Sequence, residues 1–520
     1  MRRPKSSANQ TGGPVVLILA IIIFNGRAFA QFGPPAGQSE SAQAKQIPLS
    51  GRSGQNGSVR AMQSPVPGAT TSVNTINPTV QVQGPYAGSA LSTGKIPFSG
   101  TLTLREAVQR GIEFNLGAVG LTQAVHQARG QSRVARSALL PNLNGNLTET
   151  VEQINLRATG LRFSSPGFSP PTIVGPFSVF DLRVRLSQTI LDLTVWNNYR
   201  SAAEALHASE LSAQDARDLV VLAVGGAYLQ VIAAKAKVDA TRAQLETANA
   251  LYQQTSQKRT VGLVAQVDVN RSQVQTLTQQ QRLVSLQNDL AKQKINLSRL
   301  TGLPPNDRYD ISDDVPFSAT PATSIEDAMK QAFEQRSDLK AAEAQVRAAE
   351  RARSAARAER LPSLSLNADY GVIGTNPSQA RGTFSVVGTL RVPLWQGGRA
   401  QGNIEQADAA LAQRRAELED IRGLIESEVR EAYLDLQAAA SQVEVAQRNL
   451  QVTQDNRNLT RQRFEAGVTD NVEVVQSQES VATAELDYIN SVFAHNVAKL
   501  SLARATGRAA ESLPQFLKLP

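Results

Sequence analysis

One phrase of the chain occurs twice. Residues 259–273 read RTVGLVAQVDVNRSQ, and residues 463–478 read RFEAGVTDNVEVVQSQ. Placing Gly262 on Gly467 also places Val267 on Val472, Asp268 on Glu473, Val269 on Val474, Ser272 on Ser477 and Gln273 on Gln478. A register held over this span marks a duplicated half of a chain, and a long internal repeat limits the architecture before any side-chain chemistry is weighed. The rest of each half obeys it. Thr103-Leu-Arg-Glu106 is a capping box, in which the hydroxyl and the carboxylate reach back to free helix N–H groups, and Ser324-Ile-Glu-Asp327 lies 221 residues further on. Each box opens a predicted helix of about 36 residues that stops at a proline, Pro141 or Pro362, at the same offset of 221. The offset falls to 205 at the repeated phrases, because the first half carries extra residues in QINLRATGLRFSSPGFSPPTIVGP.

After each proline the apolar period changes from helical to two. Leu364, Leu366, Ala368, Tyr370 and Val372 alternate with Ser363, Ser365, Asn367, Asp369 and Gly371, and Phe384, Val386, Gly388, Leu390, Val392 and Leu394 alternate with Ser385, Val387, Thr389, Arg391 and Pro393. In the first half Leu143, Gly145, Leu147 and Val151 alternate with Asn142, Asn144, Asn146 and Thr148, and Phe180, Leu182, Val184 and Leu186 with Asp181, Arg183, Arg185 and Ser187. Soluble strands usually run about 5–6 residues. These run about eleven, the length a tilted strand needs to cross a hydrocarbon layer of roughly 30 Å. A spanning sheet must close, because open edges cannot be satisfied in lipid, and the smallest such barrels have about eight strands. Four strands per chain therefore require an oligomer.

The N-terminus supports export. Arg2, Arg3 and Lys5 precede the apolar run Val15–Phe24, and Ala28-Phe29-Ala30 is a small-x-small cleavage site, so residues 1–30 read as a signal peptide. From 31 to about 100 the chain is rich in Gly, Pro, Ser and Gln with few large apolar residues, and is expected to be a disordered extension. The GRSGQNG stretch at 51–57 has no flanking strand and helix, and is not read as a phosphate loop. The net charge of +8 includes Arg2, Arg3, Lys5 and Arg27 of the leader, and no basic face with interleaved aromatics is present, so no nucleic-acid partner is expected. There are no cysteines. That excludes disulfides, thiolate metal sites and a lipid-modified N-terminal cysteine.

Aromatics make up only 5% of the chain, and between Pro176 and Pro304, and between Pro393 and Pro514, there is no proline. Helices are expected over about 194–258, 264–301, 398–465 and 470–506. Leu283, Leu286, Leu290 and Leu297 follow coiled-coil spacing. A helix of about 65 residues extends roughly 100 Å, which suits a projection across a periplasm. Each repeated phrase then falls where a long helix turns back into a shorter one. Gly262 and Gly467 supply the turns, and Asp268 and Glu473 sit near the next helix start, where negative charge is favoured. A purely structural role for glycine and acid at such turns is a competing reading.

The duplicated strand pair, long helix, VGL-type tip and closing helix ending in Leu300-Thr301-Gly302 or Ala505-Thr506-Gly507 resembles the TolC family of outer membrane efflux proteins. The resemblance covers about 103–507. It implies a mainly α fold with a membrane β-barrel portion: duplicated β-hairpins plus long coiled-coil helices, forming a homotrimer with a 12-stranded β-barrel joined to a periplasmic α-helical tunnel. Residues 101–304 would be the first outer membrane efflux protein repeat, 322–507 the second, and 508–520 a tail. The family's hairpin tips dock a periplasmic adaptor, which implies that role for Gly262, Leu263, Val267, Asp268 and Val269 and for Gly467, Val468, Val472, Glu473 and Val474. An acidic constriction near the second tip is implied at Glu473. The next ring position is Gln476, and Thr469 stands where some members carry a basic residue, so the gate departs from the family pattern.

The function implied is an outer membrane exit duct in a Gram-negative bacterium, conducting passively from an adaptor and an inner-membrane pump of RND or ABC type. The outer membrane component of a type I protein secretion system has the same architecture, and a soluble coiled-coil scaffold is the remaining alternative. A simple porin would be nearly all strand. No catalytic residues, cofactor or metal are expected: His126, His207 and His495 are scattered, and no HExxH or GxxxxGK[ST] motif is present.

Overall fold

The computed structural model describes residues 43–48, 57–67, 74–90, 100–158, 160, 171–305, 308–311, 317–318, 324–507 and 509–510. The signal peptide expected at 1–30 and most of the tail expected at 508–520 lie outside them. The chain divides into two compact units, one of Met1–Lys45, Ala135–Asn197 and Ala355–Gln401, the other of Gln46–Val134, Asn198–Ser354 and Gly402–Pro520.

The first unit is built on a four-stranded antiparallel sheet in the order β4 (Asn142–Asn155), β5 (Ile173–Leu191), β7 (Ser363–Gly374) and β8 (Arg381–Arg391). Its register aligns the apolar positions into rows: Leu143, Leu186, Ala368 and Val386 lie abreast, as do Gly145, Val184, Tyr370 and Phe384. The intervening row is Asn144, Arg185, Asp369 and Ser385. Leu143 is 69% and Phe384 78% exposed, as befits a face that meets lipid rather than a protein core. The central pair joins the two repeats. Arg183 on β5 donates to Asp181 on its own strand at 2.9 Å and to Asp369 on β7 at 2.7 Å. Gly371 makes room for it, since a Cβ there would lie 2.3 Å from the Arg183 Cβ. Within the described residues β4 and β8 keep one edge each unpaired.

The second unit is helical. Four long helices match the sequence expectation closely: α3 (Leu193–Thr260), α4 (Gln266–Thr301), α7 (Arg399–Glu465) and α8 (Asn471–Ala505). Leu297 is fully buried and Leu290 packs against the same apolar cluster as Leu300, Val224 and Leu500.

Two expectations are corrected. The single helix expected after each capping box is two helices, α1 (Leu104–Phe114) with α2 (Leu116–Ser137), and α5 (Ile325–Gln335) with α6 (Ser337–Ala358). The breaks at Asn115 and Arg336 keep the offset of 221. Thr103 and Ser324 cap their helices as predicted, accepting from the Glu106 and Asp327 N–H groups. At the first break the buried Asn115 side chain accepts from the Gly117 N–H at 2.9 Å and donates to the Tyr86 carbonyl at 2.7 Å. This is the local competition with helical bonding that asparagine is suited to. At the second, the buried Arg336 guanidinium is held by Asp338 and Glu428, both at 2.6 Å. Nearby, Arg504 meets Asp215 at 2.5 Å, and burial pushes the Asp215 carboxyl up to about 6 against the opposing Arg504 charge.

The stretch 31–100 is ordered over much of its described length. β1 (Val59–Pro67) and β2 (Asn74–Val82) form an antiparallel hairpin, and residues 88–90 bond to the first helix break through Ala90 N–H to Phe114 O (2.8 Å) and Leu116 N–H to Gly88 O (3.0 Å). Apolar content was too low to predict a core here. A few side chains suffice because the helices offer cradles: a Cβ on Gly226 would lie 2.4 Å from Val80, and one on Gly117 would lie 2.3 Å from Tyr86. Val59 and Tyr86 are buried in that surface. The short strand β3 (Thr101–Leu102) pairs in parallel with β6 (Asp310–Ile311).

Candidate functional site at the hairpin tips

Both repeated phrases build the same turn. At the end of α3, Gly262 has φ +77°, its N–H reaches the Arg259 carbonyl at 3.0 Å, and the Leu263 N–H reaches the Lys258 carbonyl at 2.9 Å. At the end of α7, Gly467 has φ +72°, its N–H reaches the Phe464 carbonyl at 3.2 Å, and the Val468 N–H reaches the Arg463 carbonyl at 2.9 Å. This pair of bonds is a Schellman closure, which needs a left-handed residue at the glycine. Asp268 and Glu473 fall in the first turn of α4 and α8 as expected. The second start is better capped, with the Asp470 side chain accepting from the Glu473 N–H.

The tips differ in what their side chains do. Val261, Leu263, Val267 and Val468 are exposed, Leu263 at 73%, whereas Val269 and Val474 are buried and Val472 is half-buried. Val474 packs with Leu251 and Phe464, and Lys258 Nζ sits 4.3 Å from the Phe464 ring centre. The tips are tied to each other, since the buried Asn471 donates from Nδ2 to the Asp268 carbonyl at 2.9 Å. Glu473 receives the Thr469 hydroxyl and, at 3.4 Å, the Arg463 guanidinium. Gln476 points to solvent.

Sequence reasoning missed a polar link between the repeats near the tips. Glu479, one turn past Gln476, accepts from Arg282 at 2.8 Å and from Gln275 and Gln279 at 3.2 Å each, all on α4. Burial alone would raise the Glu479 carboxyl, but these hydrogen bonds, Arg282 foremost, outweigh it and hold it below the ordinary glutamate value. Further along, Gln244 on α3 donates to Glu485 on α8 at 2.6 Å. Because the two carboxylates claim these amide N–H groups, the carbonyl oxygens of Gln244 and Gln279 are turned away, buried and without a partner among the described residues. A polar cavity of about 70 Å³ lies beside them, roomy enough for water to satisfy them. Glu479 lies outside the repeated phrase, and nothing in the first half matches its chemistry, since Val274 occupies the equivalent position. Among the described residues no cluster of His, Cys, Asp and Glu suits a metal ion.

The outer membrane efflux protein family model matches residues 121–303 and 328–508, the two repeats. The chain belongs to the outer membrane efflux protein family. Outer membrane protein OprJ of Pseudomonas aeruginosa is 27% identical over 433 residues, covering 78% of this chain and 84% of that protein. Outer membrane protein TolC of Escherichia coli is 23% identical over 391 residues, covering 72% and 76%. The crystal structure of the Campylobacter jejuni CmeC outer membrane channel shares the fold with a TM-score of 0.67 at 18% identity, covering 84% of this chain and 94% of that one. The chain is thus an outer-membrane exit channel for tripartite efflux in a Gram-negative bacterium.

Proposed function

We propose that three copies close the four-stranded sheets into a twelve-stranded barrel, and that the two tips dock a periplasmic adaptor linked to an inner-membrane pump of RND or ABC type. What carries this reading is the pair of matching tips. Both end in the same rigid turn, and each projects bare apolar side chains, Val261 and Leu263 on one and Val468 on the other. A soluble coiled-coil scaffold has no use for the lipid-facing rows of the sheet. Surface apolar residues clustered on a fixed turn favour a protein partner.

The resting constriction in this reading is a ring of three Glu473 carboxylates, with Gln476 contributing no charge. Low-dielectric walls focus the field of such a ring on the pore. Arg463 sits beside each Glu473 and offsets part of it. In planar bilayers under a salt gradient, Glu473→Gln is expected to lower cation preference and weaken block by multivalent cations, with trimer stability nearly unchanged. An unaltered reversal potential and block would reduce Glu473 to a helix-start residue.

A further inference from the structure

The sheet-bearing unit leaves its two most exposed large apolar side chains adjacent. Leu394 is 93% exposed and Trp395 89%, just past the end of β8. They stand on a turn in which Gly397 and Gly398 take φ of +60° and +86°, a conformation open to glycine and resisted by other residues. The turn is fixed to its own unit on both sides. Gln396 donates from Nε2 to the Glu359 carbonyl at 3.0 Å, and Arg360 donates from Nη2 to Gln401 Oε1 at 2.6 Å. Beside the two apolar side chains lies a cavity of about 260 Å³ bounded by Arg360, Pro393, Leu394, Trp395 and Gln396. The turn, held by these hydrogen bonds, keeps a leucine and a tryptophan exposed beside an open surface hollow.

The edges of the sheet indicate what this hollow meets. β8 is one unpaired edge of the sheet and β4 is the other. Each neighbouring pair is antiparallel, so β4 and β8 run in opposite directions. When copies close a barrel, β8 of one therefore pairs antiparallel with β4 of the next, since neither edge can stay open in lipid. The residues that follow β8 then come alongside the residues that precede the neighbour's β4, which are Leu139, Leu140 and Pro141. Leu140 is itself exposed, as is Leu143 at the start of the strand.

We propose that Leu394 and Trp395 of one copy close over Leu140 of the next, with Leu140 seated in the cavity beside Pro393, as a latch at the foot of each inter-subunit seam. The latch rests on the reading that three copies close the sheet. Tryptophan is also at home at a lipid interface. A second copy is favoured because the wedge lies directly beyond an edge strand, and because the facing edge of the same chain presents the apolar residue that the cavity lacks.

The chain has no cysteines, so a single pair can be introduced cleanly. Purified full-length Leu140→Cys/Trp395→Cys protein in mild detergent, treated with a short bis-maleimide, is expected to give covalent dimers and trimers from most chains, and each single variant none. Native mass measurement on the same samples separates the two levels: loss of the trimer overturns barrel closure, whereas an intact trimer without cross-links overturns the latch. A second measurement does not depend on the cysteine variants. In Trp196→Phe protein, where Trp395 is the one remaining tryptophan, the latch keeps emission unquenched by brominated phospholipids in reconstituted trimers. Quenching of half or more of the emission would place Trp395 in lipid and overturn the latch.

Discussion

Arg282 and Glu479 lie 2.8 Å apart, the arginine on the closing helix of the first repeat and the glutamate on that of the second. Around this contact the two hairpins are joined by polar side chains as well as by the apolar packing of Val474 on Leu251: Gln275 and Gln279 on the same carboxylate, Gln244 on Glu485, and Asn471 on the Asp268 carbonyl. An apolar seam would hold the repeats more permanently, because separating it would expose greasy surface to water. The polar part of the seam, beside a cavity of about 70 Å³, lowers the cost of moving the helices apart.

Arg282→Ala and Glu479→Gln are each expected to loosen this seam by about 1.5–3 kcal/mol, the range for hydrogen bonds to a charged group. Larger resting conductance in planar bilayers should accompany the loss, with trimer assembly retained. The double variant should add little to either single one, because both remove the same contact. Additive effects would show that the two residues act separately.

Acid should act on the same contact. The Glu479 carboxyl titrates below the ordinary value of 4.5 in the folded chain, so the unfolded chain binds the proton more readily and stability rises with pH between the two values. The contribution is fully present above about pH 4.5 and is lost as pH falls through the lower, folded value. Resting conductance should rise over that acid range in the parent and much less in Glu479→Gln. A parent and variant with the same acid response would show that the Arg282–Glu479 contact does not hold the resting channel narrow.

Gly262→Asp with Gly467→Asp is expected to abolish export while leaving the protein assembled in the outer membrane. Nothing lies within 4 Å of a Cβ at either position, so the cost is that of a left-handed backbone alone, about 1–2 kcal/mol per residue. Both turns sit at the ends of their hairpins, far in sequence from the sheet. Adaptor cross-linking that matches the parent would count against docking at the tips.

The strap formed by β1, β2 and residues 84–90 should contribute to stability. Tyr86→Ala removes a buried ring from the cradle at Gly117 and is expected to cost about 3 kcal/mol, as for other large-to-small changes in a core. Thermal melting of the assembled protein would detect this. An unchanged melting temperature would mean that the strap adds nothing to stability.

Much of the fold was legible because it is periodic and duplicated. Helical periods of 3.6, strand periods of two and glycines at matching offsets placed α3, α4, α7, α8, β7 and β8 to within a few residues, whereas β4 and β5 run to 14 and 19 residues by extending into the stretch read as an insertion between them. The capping boxes at Thr103 and Ser324 were legible for the same local reason. The helix breaks at Asn115 and Arg336 were not, since each depends on partners distant in sequence: the Tyr86 carbonyl for one, Glu428 for the other. The strap was hidden because glycines on the helices, rather than apolar residues in the strap, create its docking surface. At the tips the turn chemistry could be read from Gly262 and Gly467, but Glu479 could not, because a carboxylate on a long polar helix reveals its role only when its three donors are brought against it.

Native mass measurement of the exported protein in mild detergent tests most directly whether four spanning strands per chain are completed by other copies. Three copies per particle, stable without an adaptor, is the predicted result. A stable monomer that still conducts in planar bilayers would contradict it, since the open edges of β4 and β8 would then have to be satisfied within a single chain.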